Sequence, residues 1–395
     1  MKDHRQIAKE LDLFSVHEYA PGAIFWHPKG WTIYRLLQDF IREKIEADGY
    51  QEISTPVMVK SALFEKSGHL KHFGQNMFNL KVENEDYSLK PMNCPESTLI
   101  YSSKTRSYHD LPLKLSEFGV LHRNELSGVL GGAFRVRQFT IDDAHLFVRP
   151  DQIQQEIHKL LLLVLNVYQT FGFKTKFYLS TKPDKAMGAE KTWNEAETDL
   201  KKALTDAKVN FDIKEKDGAF YGPKIDVQIK DSQDRDWQLA TIQLDFQIPE
   251  KMKLVYIGSD GKEKQPVMIH RGIFGSLERF IGILIEHFQG SFPVWLSPVQ
   301  AIILPLSGKF TPYANKVATE LRSAELRVEV DNRNETLQAK IRDASLQKIP
   351  YILVVGAKEE EAKKIAIRNR EGKDLGQMTI DEFKDKIAKE VAARS

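Results

Sequence analysis

Residues 135–147, RVRQFTIDDAHLF, decide how this chain is read. Taken as one strand, the alternation of side chains puts Arg135, Arg137, Phe139, Ile141, Asp143, His145 and Phe147 on a single face. Val136, Ala144, Leu146 and Val148 fall on the other, among the polar Gln138, Thr140 and Asp142. Guanidiniums, an aromatic ring, a carboxylate and an imidazole on one face can line a cleft; a solvated outer face is the other reading this segment allows. The strand before it, LKLSEFGVLHRNE, carries Arg123 to the edge of a glycine-rich loop, NELSGVLGGAF. Arginines on both arms of such a hairpin can grip a phosphate from two sides, because the planar fork matches phosphate oxygens.

Working outward, WQLATIQLDF reads as a third strand, with Ala240, Ile242, Leu244 and Phe246 inward and Thr241, Gln243 and Asp245 on the opposite face. GIFGSLERFIGILIEHF reads as an almost wholly apolar helix whose one arginine, Arg279, needs an anion unless it faces solvent. Upstream, a helix from Trp31 to Asp48 shows Ile33, Leu37, Phe40, Ile41 and Ile45 as one stripe, ended by Gly49 and followed by a strand running into Pro56. These elements predict an α+β core, an antiparallel β-sheet flanked by helices. At 289–298, QGSFPVWLSP, prolines and serines interrupt the pattern. Beyond it strands alternate with amphipathic helices, which predicts a smaller α/β domain with a largely parallel sheet. The expected domains are 1–293 and 294–395.

The net charge of +2, from 57 basic and 55 acidic residues, leaves any nucleic-acid contact to local patches. Cys94 is the only cysteine among 395 residues, so no intrachain disulfide can form and a cytoplasmic location is expected. The longest aliphatic run, Leu160 to Leu165, is far below the ~18 residues of a membrane span, and MKDHRQIAKE has no signal-peptide core. The lone thiol reads as part of a loop between Pro91 and Pro95. With His145 in DDAHLF and His270 in VMIHRG it makes a three-ligand zinc set with one position open. The 51 and 125 residues separating Cys94 from His145 and His145 from His270 lack any short-loop signature, so scattered structural histidines are the other reading.

Taken together, PMNCP, HRNE followed by RVR and DDAHLF, AFYGPKID, WQLATIQLDF and MIHRGIFGSLERF resemble, in order and spacing, the threonyl-tRNA synthetases, a family of class II aminoacyl-tRNA synthetases. The likeness runs from DHRQIAKELDLF to the C-terminal segment. It implies a class II catalytic fold followed by an anticodon-binding α/β domain, and a homodimer built on the long helix and the strand ending at Pro56. By the same resemblance Arg123 holds the α-phosphate of ATP and Arg279 lies near the γ-phosphate. Glu125, Arg135, Gln238 and Thr241 then border the nucleotide, and Phe139 stacks on adenine. Cys94, His145 and His270 match the family's ligands to Zn2+, which there binds the amino and hydroxyl groups of threonine, with Asp143 taking the hydroxyl proton. Tyr221 and Gln243 complete the amino-acid pocket, with Lys224 as a nearby cation. Mg2+ accompanies ATP, and Asn334, Arg342, Glu359 and Arg368 fall where the family reads the anticodon of tRNA(Thr).

Some positions depart from the family's usual pattern. Glu96 and Ser97 stand where Gly-His is common, Ile141 where glutamine is, Gly272 where alanine is, and Leu239 and Ala240 replace smaller residues. The family's N-terminal domain that hydrolyses seryl-tRNA has no counterpart in these 395 residues. Two other readings stay open at this point. A prolyl-tRNA synthetase shares the general architecture without a reason for the zinc set, and a non-catalytic RNA-binding paralogue would have no need of the ATP-gripping arginines.

Overall fold

The computed structural model of the protein describes residues 2–231 and 233–394. The chain forms two compact units, one from Val16–Ile24 and Gln38–Ile283, the other from Met1–Ser15, Phe25–Leu37 and Leu284–Ser395. Helix α1 (Pro28–Glu46) buries Ile33, Leu37, Phe40, Ile41 and Ile45, the stripe expected from sequence. It starts earlier than expected because proline suits a first helical turn, where no donor is lost.

The first unit is built on an eight-stranded sheet. Its strands are β1 (Gln51–Glu52), β2 (Leu113–His122), β3 (Gln138–Val148), β4 (Thr175–Ser180), β5 (Phe211–Lys214), β6 (Lys224–Lys230), β7 (Asp236–Asp245) and β8 (Val267–Ser276). Their spatial order is β5-β4-β6-β7-β8-β3-β2-β1, antiparallel except for the two edge pairs. The register fixes what can meet. His270 lies opposite His145 and Gln243, Gly272 opposite Asp143 and Thr241, and Asp143 opposite Glu117. With a side-chain period of two, these residues share one face.

On the other face Ala240, Ile242 and Leu244 are fully buried. Helix α3 (Ile153–Thr170) lies against β7 and β8 there, burying Ile157, Leu161, Val164 and Tyr168. Phe40, Phe171, Phe274 and Phe280 form an aromatic cluster, with Phe274 and Phe280 stacked 4.2 Å apart. Burying each ring stabilises the fold by roughly 2–3 kcal/mol, and Phe274→Ala would cost about 3–5 kcal/mol once the cavity is counted. The polar face of the sheet is thereby left to form a cleft.

Local readings from sequence need correction at four places in this unit. The strand of DDAHLF begins at Gln138, because Arg137 donates its backbone N–H to Gly22 O and Arg135 bonds back to Gly131 within the preceding loop. Residues 272–276 are strand and bulge, not helix: the Asp142 carboxylate takes the N–H groups of Ile273 and Phe274, and helix α4 spans Leu277–Phe288. The strand before Pro56 is only two residues long. Cys94 opens helix α2 (Cys94–Tyr101) and is not in a loop, with Pro95 tolerated in its first turn.

The second unit carries a five-stranded sheet of β9 (Ala301–Pro305), β10 (Val328–Val330), β11 (Tyr351–Val355), β12 (Lys364–Asn369) and β13 (Asp374–Thr379). The order is β10-β9-β11-β12-β13, with the first three parallel and the last two antiparallel. The sheet is therefore mixed, because β12 turns straight into the polar strand β13, whose exposed residues gave no hydrophobic signal. Helices α5 (Thr311–Ser323), α6 (Leu337–Leu346) and α8 (Ile380–Ala393) follow the predicted pattern; the short α7 (Ala357–Ala362) does not appear in it. Ile303, Val317, Leu321, Leu353 and Phe383 form the core.

Candidate active site

The first turn of α2 and the middles of β3 and β8 bring Cys94, His145 and His270 together. One ligand atom from each lies within 4.8 Å of the others, and all three residues are buried. This is the one such cluster of metal-binding groups among the described residues. His270 Nε2 sits 2.9 Å from Asp245 Oδ2, whose Oδ1 takes the N–H groups of Gln247 and Ile248. A carboxylate behind an imidazole fixes the tautomer and turns the other nitrogen toward a metal.

The groups between the ligands are held with equal care. Asp143 Oδ2 accepts from Asn93 Nδ2 at 3.0 Å and lies 3.8 Å from His145 Nε2. Asn93 fits because Gly119 has no side chain: a Cβ there would stand 2.1 Å from Asn93 Oδ1. Burial pushes the Asp143 carboxyl up to about 6 and lowers His145 well below the usual histidine range. Burial, with Asp143, Glu96 and Asp245 nearby, pushes the Cys94 thiol up. A thiol among carboxylates, beside two imidazoles, is a donor set that a borderline-soft divalent cation offsets, and N and S donors suit zinc. The residues present therefore fit the metal expected from sequence.

One residue that sequence reading overlooked lies against this centre. His69 is fully buried, with Nε2 3.2 Å from Cys94 Sγ and Nδ1 2.9 Å from Ser67 Oγ. Burial, together with the charges of His270 and Lys251, holds it down to about 3, so it is neutral. Only spatial proximity reveals it, for it lies 25 residues from Cys94. Glu96 is also buried, neither oxygen finds a partner, and its carboxyl is pushed up to about 8.

A cavity of about 220 Å³ opens beside the cluster, lined among others by Arg123, Ile141, Asp143, Tyr221, Gln243 and Gly272. Tyr221 Oη donates to Gln243 Oε1, and the Tyr221 ring lies 5.0 Å from that of His270. Lys224, Gln238 and Thr241 converge on one further group absent from the sequence reading, the buried Asp226. Its oxygens lie 2.8 Å from Lys224 Nζ, 2.7 Å from Gln238 Nε2 and 3.3 Å from Thr241 Oγ1.

Arg123 emerges where β2 ends, its guanidinium 5.0 Å from the centre of the Phe139 ring and 5.5 Å from that of Phe73. Burial pulls its pKa down, and the positive charge of Arg279 adds to the effect while Glu125 opposes it. Arg279, at the start of α4, donates Nε–H to Phe134 O at 2.9 Å; burial and the charge of Arg135 lower it in turn. Arg135 is tied to Glu125 at 2.8 Å. Three guanidiniums close to Glu125, with Arg279 repelling Arg123 and Arg135 repelling Arg279, leave a surplus of positive charge that a polyphosphate can neutralise.

The four residues expected to read an anticodon lie in the second unit. Asn334 and Arg342 are exposed. Arg368 donates to Gly372 O at 3.0 Å and reaches Asp374 at 3.4 Å. Glu359 is buried, accepting from the Gly356 N–H and from Gln377 Nε2.

Comparison with known proteins bears on both units. Residues 78–288 match the tRNA synthetase class II core domain (G, H, P, S and T), and residues 300–390 match the anticodon binding domain family. The chain is 50% identical over 394 residues to a threonine-tRNA ligase of Caldanaerobacter subterraneus subsp. tengcongensis, covering 100% of this chain and 61% of that one. It is 51% identical to the threonine-tRNA ligase of Symbiobacterium thermophilum, covering 100% of this chain and 60% of the relative. The chain thus spans about three fifths of the length of the curated relatives it matches. A solved structure, described as the RNA binding domain of threonyl-tRNA synthetase from Cryptosporidium parvum Iowa II, superposes with a TM-score of 0.96 at 40% identity, covering 98% of each chain. On this likeness in sequence and fold, the chain belongs to the class II aminoacyl-tRNA synthetases, in the threonyl-tRNA synthetase family.

Proposed function

We propose that the chain acts as a threonine-tRNA ligase, joining threonine to ATP as threonyl-adenylate with release of pyrophosphate and passing the acyl group to tRNA(Thr). The observation that carries this reading is the meeting of Cys94, His145 and His270 beside Asp143 in a cavity that also holds Arg123. In this reading Cys94, His145 and His270 hold a zinc ion. When bound there, zinc supplies a Lewis-acid centre for the amino and hydroxyl groups of the substrate.

Asp143, kept in place by Asn93, accepts the hydroxyl proton. Tyr221 and Gln243, bonded to each other, border the amino acid. Arg123 steadies the α-phosphate as the threonine carboxylate attacks it. Arg279 neutralises the far phosphates, Glu125 and Arg135 border the nucleotide and Phe139 faces adenine, with Mg2+ accompanying ATP. Gln238, Thr241 and Lys224 are ordered around Asp226 at the same site. Most of the acceleration then comes from positioning and fixed charge. Valine has threonine's shape but leaves a buried carboxylate without its proton donor, a defect worth ~10⁴ or more in rejection.

The reading extends to a catalytic domain of residues 1–293 and an anticodon-binding domain of 294–395, in which Asn334, Arg342, Glu359 and Arg368 contact the tRNA. It also includes a cytoplasmic homodimer joined through α1. No helix among the described residues is long and apolar enough to cross a membrane. ATP–pyrophosphate exchange with threonine, serine, valine and proline tests the proposal. Exchange should be strong with threonine, measurable with serine, which keeps the hydroxyl, and absent with valine and proline. Proline-dependent exchange, or none with any amino acid, would refute it.

A further inference from the structure

Phe134 belongs to the glycine-rich loop between β2 and β3, yet its ring is packed against two other elements. The Trp237 ring lies 4.6 Å from it, tilted by 47°, and the Arg235 guanidinium lies 5.5 Å from its centre. One carboxylate holds both neighbours: Asp231 Oδ2 accepts from Arg235 Nε at 2.7 Å and from Trp237 Nε1 at 2.8 Å. A third contact comes from the middle of α4. A Cβ at Gly282 would stand 3.0 Å from Phe134 Cε1, 3.1 Å from its Cδ1 and 3.3 Å from Ala133 Cβ, so the ring would have to give way. Glycine in a helix interior is unfavourable relative to alanine, and here it admits the close approach of Phe134.

The backbone of Phe134 ties this packing to the chemistry. Its carbonyl takes the Arg279 Nε–H at 2.9 Å, one turn of α4 before Gly282. A bond at Nε fixes the plane of the guanidinium and with it the direction of the terminal nitrogens, which make the two-pronged contact with phosphate oxygens. A ring pushed aside carries its own carbonyl with it, and the fork loses its aim.

We infer that Phe134 is a positioning residue for ATP, seated by Trp237 and by the bare Gly282 so that its carbonyl aims Arg279. The inference rests on the ligase reading above, in which Arg279 meets the far phosphates. Because Phe134 acts through Arg279, it bears on the use of ATP and not on that of threonine.

The test is ATP–pyrophosphate exchange with threonine, run at varied ATP and at varied threonine. It compares the wild type, Gly282→Ala, Trp237→Leu and the double variant Gly282→Ala/Phe134→Leu. Gly282→Ala should raise the KM for ATP about 5- to 10-fold and leave that for threonine within about twofold. Its thermal midpoint should equal or exceed the wild type's, because alanine suits the helix better, which separates lost aim from lost folding. Trp237→Leu, which removes the other support, should raise the KM for ATP in the same range. In the double variant the smaller side chain makes room for the added methyl and should bring the KM for ATP back to within about threefold of wild type. A Gly282→Ala or Trp237→Leu protein that uses ATP as its parent does would overturn the inference. So would a KM that rises equally for threonine and ATP, or a double variant no better than Gly282→Ala. Any of these beside strong threonine exchange in the wild type leaves the ligase reading standing, whereas a wild type without threonine-dependent exchange would overturn both.

Discussion

Asp245 and His270, on neighbouring strands, form a buried pair with Oδ2 2.9 Å from Nε2. The carboxylate commits that nitrogen, so in the proposed reading Nδ1 is the atom left to bind a metal with Cys94 and His145. Asp245→Asn keeps the size and an acceptor for the Gln247 and Ile248 N–H groups but weakens the hold on the ring. Zinc affinity should fall about 10–100-fold, with the circular dichroism spectrum unchanged. Competition with a chromogenic chelator measures this, and an affinity equal to wild type would show that Asp245 does not orient the ligand.

Burial lowers both Arg123 and Arg279, and a neighbouring guanidinium adds to it in each case, Arg279 acting on Arg123 and Arg135 on Arg279, while Glu125 opposes both. Removing either should therefore hurt ATP use more than amino-acid binding. Arg123→Ala and Arg279→Ala should each cut kcat/KM for ATP by about 10²–10³. Arg123→Lys should recover only part, since a point charge cannot copy a two-pronged contact. Exchange rates at varied ATP decide the matter; a KM and kcat within twofold of wild type would remove these residues from the ATP site.

Much of this site was legible because chemistry follows period two. Asp143 and His145, and likewise Thr241 and Gln243, fell on one face by counting alone, and the structure keeps both pairs at the cavity. What counting could not supply was the bulge after Gly272, which depends on Asp142 capturing two backbone donors from a strand 131 residues away. His69, Asp226 and the Asp245–His270 bond are likewise contacts across strands or helices, with no local signal. The exposed strand β13 was missed because polar edge residues carry no hydrophobic alternation.

Glu278 offers a test on stability. Burial raises its carboxyl from 4.5 to about 8, although the Thr140 N–H donates to it at 3.0 Å. The folded chain thus keeps a proton that the unfolded chain gives up from about pH 4.5. The group's contribution is fully present below that value and is lost as the pH rises toward 8, at up to about 1.4 kcal/mol per pH unit. Glu278→Gln should flatten this decline. Urea unfolding at pH 5, 6.5 and 8 reads it directly, and parallel pH profiles for the two proteins would rule it out.

The most direct test is the zinc content of chain purified without chelators, measured together with threonine-dependent exchange before and after Cys94→Ala. The account predicts one zinc per chain, its loss on substitution, and a fall in exchange of at least ~10²-fold as the hydroxyl loses its partner. A metal-free wild type that exchanges at full rate, or a Cys94→Ala protein that activates threonine as well as its parent, would contradict it.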